Sequence, residues 1–205
     1  MSSDSIVVHE TKQLHGEVTV PGDKSISHRA IILGSLAQGK VMVKGLSSGE
    51  DNRRTVKIFQ QLGVSIKKRG PAEYLLHGKG LHGLKEPGSI LYAGNSGTTM
   101  RLMTGVLSGQ PFFSVLSGDA SLNARPMKRV VTPLREMGAR ISGRDGGNYA
   151  PLAIQGGKLQ AARFALPVAS AQVKTAILLA GFYADGTTMV QEPVPSRDHT
   201  ERMLR

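Results

Sequence analysis

The sequence predicts an α/β fold of three related units around a pseudo-threefold axis, the third incomplete within the 205 residues, and three observations predict it. A short apolar run, a small-residue turn, a helical apolar stretch and another strand-like run follow one another three times. Glycine stands directly after two further helical patterns, where a left-handed C-cap ends a helix. Strand-like and helix-like stretches alternate throughout, the pattern of α/β architecture.

The first unit opens at VTVPGDKSISHRAIILGSLAQGKVMVKGL, residues 18–46. Its opening strand is Val18–Val20 and its helix covers about 27–37. DNRRTVKIFQQLGVSIKK follows, helical to Leu62-Gly63 and β-like after it. The second unit opens at ILYAGNSGTTMRLMTGVLSGQPFFSVLSG, residues 90–118, with a helix near 99–107. RPMKRVVTPLREMGARIS repeats the helix-to-strand switch at Met137-Gly138. The third opens at residues 162–193 with a helix near 172–180, and SRDHTERMLR begins its second half. Each complete unit reads βαβαββ. A period near seventy is too long for the short solenoid repeats.

Two residue types recur in register. The serines Ser25, Ser96 and Ser170 precede or open the helices at spacings of 71 and 74. The helix glycines are Gly34, Gly105 and Gly181. Each costs about 1 kcal/mol of helix propensity relative to alanine. Their recurrence predicts that three helices approach one another closely, buried in one domain.

Composition narrows the function. No cysteine is present, which excludes a disulfide scaffold, a cysteine nucleophile and thiolate metal ligation, and suits a reducing cytoplasm. The apolar stretch around 176–180 is too short for a bilayer, and the first ten residues lack the order of a secretion signal. The net charge of +11 favours anionic partners. Only 4% of residues are aromatic, tryptophan is absent and the basic residues are scattered, so a nucleic-acid surface is the weaker reading. The six histidines show no metal-ligand spacing. Gly78-Lys79-Gly80-Leu81-His82-Gly83 fits GxGxxG, but Pro87-Gly88 follows where a nucleotide-binding helix would begin.

The turns before the repeated helices are the candidate site. Residues 21–29, PGDKSISHR, place small residues at a helix N-terminus, where free N–H groups and the helix dipole favour an anion. Lys24, Ser25 and Arg29 add charge and donors. GNSGTT at 94–99 has the same character, with Arg101 close behind, and Ala169-Ser170-Ala171-Gln172 is neutral but rich in donors. Serine and asparagine are also ordinary N-caps. Three such turns at one end of a domain favour a shared anion site.

PGDKSISHR (21–29), GNSGTTMRL (94–102), GDASLNARPM (118–127), ASAQVKTAILLAG (169–181) and SRDHTERML (196–204) resemble the signature blocks of the EPSP synthase family. The resemblance implies an enolpyruvyl transferase-like domain. The family moves the enolpyruvyl group of phosphoenolpyruvate onto the 5-hydroxyl of shikimate 3-phosphate, in a cleft between two similar domains, without metal or organic cofactor. This chain corresponds to about the N-terminal half. Residues 1–20 are then expected to pack with a second domain, and 21–205 to form the N-terminal one.

By the same resemblance Lys24 touches both substrates and takes part in proton transfer. Shikimate 3-phosphate is implied to meet Lys24, Ser25, Arg29, Ser170, Ala171, Gln172 and Ser196. Phosphoenolpyruvate is implied to meet Lys24, Gly97, Arg125 and Gln172. Ala171 stands where many members carry a second serine, and His199 where some carry a tyrosine. The family's main acidic acid/base residues belong to the other half. The sister transferase acting on UDP-N-acetylglucosamine typically shows Lys-Asn where this chain has Lys24-Ser25, and a reactive cysteine that is absent here. An isolated phosphate-binding domain without activity is the alternative.

Overall fold

The computed structural model describes residues 5–205. The first helix, α1 (Lys24–Leu36), leads into β1 (Gln38–Val43), α2 (Glu50–Gln61), β2 (Ser65–Gly70) and β3 (Glu73–Lys79). Then come β4 (Leu91–Tyr92), α3 (Gly97–Ser108), β5 (Phe113–Ser117), the single turn α4 (Ala120–Asn123), α5 (Lys128–Glu136) and β6 (Arg140–Gly143). A further turn, α6 (Arg144–Gly147), precedes β7 (Tyr149–Gln155), β8 (Leu159–Gln160) and β9 (Arg163–Ala165). The chain continues through α7 (Ala171–Gly181), β10 (Ala184–Asp185), β11 (Met189–Gln191) and α8 (His199–Met203). Among the described residues no helix is long and apolar enough to cross a membrane.

Strands β1, β3 and β2 form an antiparallel sheet in that order, and β4, β5, β7 and β6 form a mixed one. Within the mixed sheet β4 and β5 run parallel, joined across α3. The parallel pairs β9–β11 and β8–β10 are likewise joined across α7. Parallel neighbours require such a crossover, which sets α3 and α7 against their strands. One continuous apolar core results, from Ile31 and Ile32 on α1 through Met100, Leu102, Met103, Val106 and Leu107 on α3 to Ala176, Ile177 and Ala180 on α7.

The predicted helix stops are present. Gly63 and Gly138 follow α2 and α5 with φ of +88° and +98°, the left-handed conformation that glycine adopts without a Cβ clash. The three long apolar helices lie where the sequence put them, each starting one to three residues earlier.

Two expectations need correction. Val18–Val20 forms no strand, and residues 5–20 carry no secondary structure apart from a bend. Val18 and Val20 are 83% and 77% exposed, because no neighbouring strand meets their backbone groups. The helix glycines also divide. Only Gly105 lies at a contact between two of the three helices: a Cβ there would fall 2.2 Å from the Ala176 carbonyl oxygen. Gly34 faces Leu76 and Val41 of its own sheet, and Gly181 faces Thr188. The close helix pair is therefore α3 with α7, while α1 packs chiefly on α2 and β3.

Polar side chains join α1, α2 and α3. His28 is fully buried, and its Nδ1 lies 2.8 Å from the Thr55 hydroxyl, which is 2.8 Å from that of Thr99. The Thr99 hydroxyl lies 2.7 Å from Ser96 Oγ, and His28 Nε2 has no partner. Burial pushes the His28 pKa down to about 4, with Asp51 opposing and Lys24 and Arg29 reinforcing the shift. The unfolded chain, with a histidine near 6.5, then binds the proton first, so stability falls as pH drops from 6.5 toward 4. Urea unfolding should show about 2 kcal/mol less stability at pH 5 than at pH 7 from this group. His28→Gln should flatten that window; an unchanged pH slope in the variant would assign it elsewhere.

Candidate functional site

The starts of α1, α3 and α7 meet at one end of the molecule. Asp23 caps α1 through the Ile26 N–H at 2.8 Å, Ser96 caps α3 through Thr99, and Ser170 caps α7 through Val173. The equivalent caps are therefore 73 and 74 residues apart. Ser25 is not one of them: it is the second helical residue, displaced by two because aspartate does in α1 what serine does in the others.

Lys24 opens α1 and pairs with Asp51 at 3.1 Å; its side chain is 58% exposed. Asn52 Nδ2 donates to the Lys24 carbonyl at 3.0 Å, fixing the starts of α1 and α2 together. The Ser25 hydroxyl accepts from Arg197 at 3.2 Å. Arg29, one turn further, is 3% exposed. Its Nε donates to Thr200 at 2.6 Å, its Nη1 to the Ser25 carbonyl at 2.9 Å and its Nη2 to Thr175 at 2.7 Å. Arg29 is thus a clamp joining α1, α7 and α8.

At α3, Gly97 is bare beneath two guanidinium groups: a Cβ there would lie 2.7 Å from Arg101 Nη1 and 3.6 Å from Arg125 Nη1. Arg101 donates to Gln172 Oε1 at 2.9 Å, and Gln172 Nε2 donates to Thr98 at 2.9 Å. These two bonds fix the N-terminus of α7 to that of α3. Arg125 donates to the Asn95 side-chain oxygen, next to the α3 cap, and Asn95 is held by Asp119 at 2.8 and 3.0 Å. Ala171 offers no side-chain donor; its carbonyl accepts from Arg29 and Thr175.

Positive charge accumulates here without local neutralisation. Burial lowers the pKa of Arg101, and the neighbouring guanidinium groups of Arg125 and Arg129 lower it further. Among the described residues none of these three arginines forms an ion pair. A cavity of about 300 Å³ lies over Arg101 and Arg129, lined by these two with Pro126, Ser170 and Val173. A larger one of about 410 Å³ adjoins it between α5 and residues 163–168, sharing Arg129, Ser170 and Val173. The smaller one has the chemistry: the guanidinium groups of Arg101 and Arg129, and the Ser170 hydroxyl at the start of α7. Such a set binds phosphate or carboxylate groups.

Beneath the third helix start lies a group that the sequence did not single out. Lys174 Nζ is 2.7 Å from Glu192 and 2.6 Å from Glu201, with Lys174 and Glu192 side chains each 8% exposed. Ser196 reaches the same Glu192 carboxylate through its hydroxyl at 2.8 Å. Burial alone would raise the Glu192 pKa, but bonds from Lys174, Ser196 and the Ser170 N–H overcome it and hold it at about 2. Lys174, Glu192, Arg197 and Asp51 all escaped sequence reasoning. Arg197 and Lys174 lie inside the quoted motifs, which was the available signal. Among the described residues no group of three or more His, Asp or Glu is placed to hold a metal ion.

Fold and site together define an α/β protein with clustered arginines and helix starts at one end, a set of groups suited to an anion. The family model for EPSP synthase (3-phosphoshikimate 1-carboxyvinyltransferase) matches residues 8–205, and the chain belongs to that family. It is 56% identical over 200 residues to 3-phosphoshikimate 1-carboxyvinyltransferase of Alkaliphilus metalliredigens, covering 98% of this chain and 47% of the relative. It is 60% identical over 201 residues to that of Pelobacter propionicus, covering 98% and 46%. A solved EPSP synthase from Acinetobacter baumannii superposes with a TM-score of 0.89 at 54% identity, covering 92% of this chain and 43% of that one. The chain spans about half the length of the curated relatives it matches.

Proposed function

We propose that the chain forms one wall of an enolpyruvyl transferase, which moves the enolpyruvyl group of phosphoenolpyruvate to the 5-hydroxyl of shikimate 3-phosphate and releases phosphate. The observation that carries this reading is the cluster of Arg101, Arg125 and Arg129 beside the open starts of α3 and α7. Two anionic substrates repel each other, and a site that brings them together needs such a surplus of positive charge.

Lys24, Ser25, Arg29, Ser170, Ala171, Gln172 and Ser196 are assigned to shikimate 3-phosphate. Lys24, Gly97, Arg125 and Gln172 are assigned to phosphoenolpyruvate. Lys24 is the one assigned to proton transfer: its ammonium is exposed and has Asp51 beside it to accept or steer the charge. Arg29 acts on the ligand by fixing Ser25 and the first turn of α7, since most of its donors are already engaged. The reaction must take a proton from the hydroxyl and add one to the methylene carbon, and one lysine does not serve both ends. A complementary C-terminal half is therefore assigned the second wall and the remaining acid/base groups. The finer architecture belongs to the same reading: the units around α1, α3 and α7 form a pseudo-threefold arrangement, residues 1–20 pack on the second domain, and the enzyme works in the cytoplasm.

Calorimetric titration tests the site. Shikimate 3-phosphate should bind the 205-residue chain weakly, because an open site leaves its charges screened by solvent and salt. Lys24→Ala and Ser170→Ala should each lower the affinity by about tenfold, the scale of a lost charge-assisted hydrogen bond. Binding unchanged in both variants would remove these residues from the site.

A further inference from the structure

We propose that Glu192 is the positioning residue of the phosphate corner, holding Ser170 and Ser196 at the spacing in which they meet the substrate phosphate; this rests on the functional reading above. Glu192 directly follows β11, the strand paired with β9, so its backbone is fixed by the sheet beneath α7. Its Oε1 accepts the Ser170 N–H at 3.0 Å. Its Oε2 accepts the Ser196 hydroxyl at 2.8 Å and the Ser196 N–H at 3.3 Å. One buried carboxylate thus joins the cap of α7 to the segment leading into α8.

The donor inventory of Ser170 gives this arrangement its meaning. The Ser170 N–H is taken by Glu192, and its oxygen accepts the Val173 N–H at 3.4 Å. Among the described residues the Ser170 hydroxyl hydrogen has no acceptor, and it is the donor left for a ligand. A phosphate dianion accepts and does not donate, so the direction of that hydrogen decides whether it is useful. Ser196 donates both its N–H and its hydroxyl to Glu192 in the free protein, so its hydroxyl meets a phosphate only by turning from the carboxylate, while the N–H bond keeps its backbone in place.

A carboxylate placed here would by itself repel a phosphate. Lys174 removes that difficulty: at 2.7 Å from Glu192 and 2.6 Å from Glu201 it neutralises the near carboxylate, while Glu201 completes the lysine's coordination from α8. Lys174 offsets one of the two carboxylates and Arg29, which feels the Glu201 charge, offsets the other, so Glu192 acts on the ligand chiefly through its hydrogen bonds. Sequence reasoning treats Ser170 and Ser196 as two separate donors; the carboxylate makes them one unit.

The test compares two ligands on the same chain. Shikimate 3-phosphate and unphosphorylated shikimate are titrated into the 205-residue protein, Glu192→Gln and Glu192→Ala, with amide NMR as the readout. In the wild type the phosphorylated ligand should bind more tightly. Both variants should weaken shikimate 3-phosphate by about tenfold or more while shikimate stays within about twofold, since a misplaced donor costs only the contact it serves. Without ligand, the Ser170 and Ser196 amide resonances should move upfield as their charged acceptor is lost. In a Ser170→Ala background, Glu192→Gln should add less than about twofold, the signature of residues acting as one unit.

Equal weakening of both ligands would reduce Glu192 to a structural ion-pair partner and overturn the assignment. Tighter binding of shikimate 3-phosphate in Glu192→Gln would make the carboxylate a competitor of the phosphate and overturn it as well. A wild type that does not distinguish the two ligands would instead overturn the functional reading, and the positioning role with it.

Discussion

Alone, the 205 residues should turn over shikimate 3-phosphate and phosphoenolpyruvate at least about 10⁴-fold more slowly than a two-domain relative. Enclosure contributes much of such a rate: it holds both substrates in reacting geometry and removes the water that would screen the arginines. The arginine cluster here faces an open cavity, and the assigned acid/base groups are incomplete with Lys24 by itself. A complementary C-terminal half added in trans should restore activity. Apolar side chains available to hold it include Ile6, Val8 and Val18, exposed by 90%, 86% and 83%. Burying side chains of this size stabilises by about 1.5–3 kcal/mol each before the cost of association. The assay is phosphate release by the purified chain, the purified half and their mixture. Turnover by the chain alone, in a preparation free of host enzyme, would place the catalytic groups within these 205 residues.

Gly105→Leu should unfold the domain or lower its melting temperature by about 2–12 °C. At this position α3 and α7 approach so closely that even a methyl group would lie 2.2 Å from the Ala176 carbonyl oxygen and 3.0 Å from its Cα. Backbone cannot yield as a side-chain tip can. Separating the helices opens the core among Met103, Val106, Leu107, Ala176 and Ile177, and overpacking of this kind costs about 1–3 kcal/mol or more. For a domain of this size each kcal/mol moves the midpoint by about 2–4 °C. Gly105→Ala should show a smaller loss in the same direction. The Arg101–Gln172 and Gln172–Thr98 bonds join the same helix pair, so ligand affinity should fall together with stability. Gly34→Ala is the control: its Cβ would meet the Leu76 and Val41 side chains at 3.2 and 3.4 Å, which can adjust. A midpoint for Gly105→Ala equal to that of Gly34→Ala would contradict this account.

Elements were more legible than wiring. Helix stops at Gly63 and Gly138 could be read because left-handed backbone leaves a residue-type signature. The apolar helices could be read because burial on nearly all sides leaves few polar residues in them. Val18–Val20 was misread because alternation shows which residues suit a strand, not whether a neighbour exists to pair with it. Ser25 was misplaced because matching serine to serine hid that Asp23 performs the cap. The candidate site followed the same rule. Its helix starts were visible as turns: seven of the nine proposed residues lie in or at them, while Arg125 and Ser196 come from other segments. Lys174 was invisible as a functional residue: it sits in an apolar helix, and its partners Glu192 and Glu201 are 18 and 27 positions away. Partner identity across such gaps is a property of the folded arrangement and has no local signature.

The Arg29 clamp has a consequence in time. Its guanidinium closes on Thr200, which follows it by 171 residues, and on Thr175, which follows by 146. During synthesis at about 5–20 residues per second, α1 emerges and waits roughly ten seconds or longer before Thr200 has been made. Until α3 is made, Ile31 and Ile32 can pair only with their own sheet and α2, and Arg29 gains its first distant hydroxyl when Thr175 emerges. Contacts of such long separation bear the chain-closure entropy before they are rewarded, which makes them late in folding as well as late in synthesis. The Arg29 contacts to α7 and α8 are therefore among the last at this end of the molecule to close.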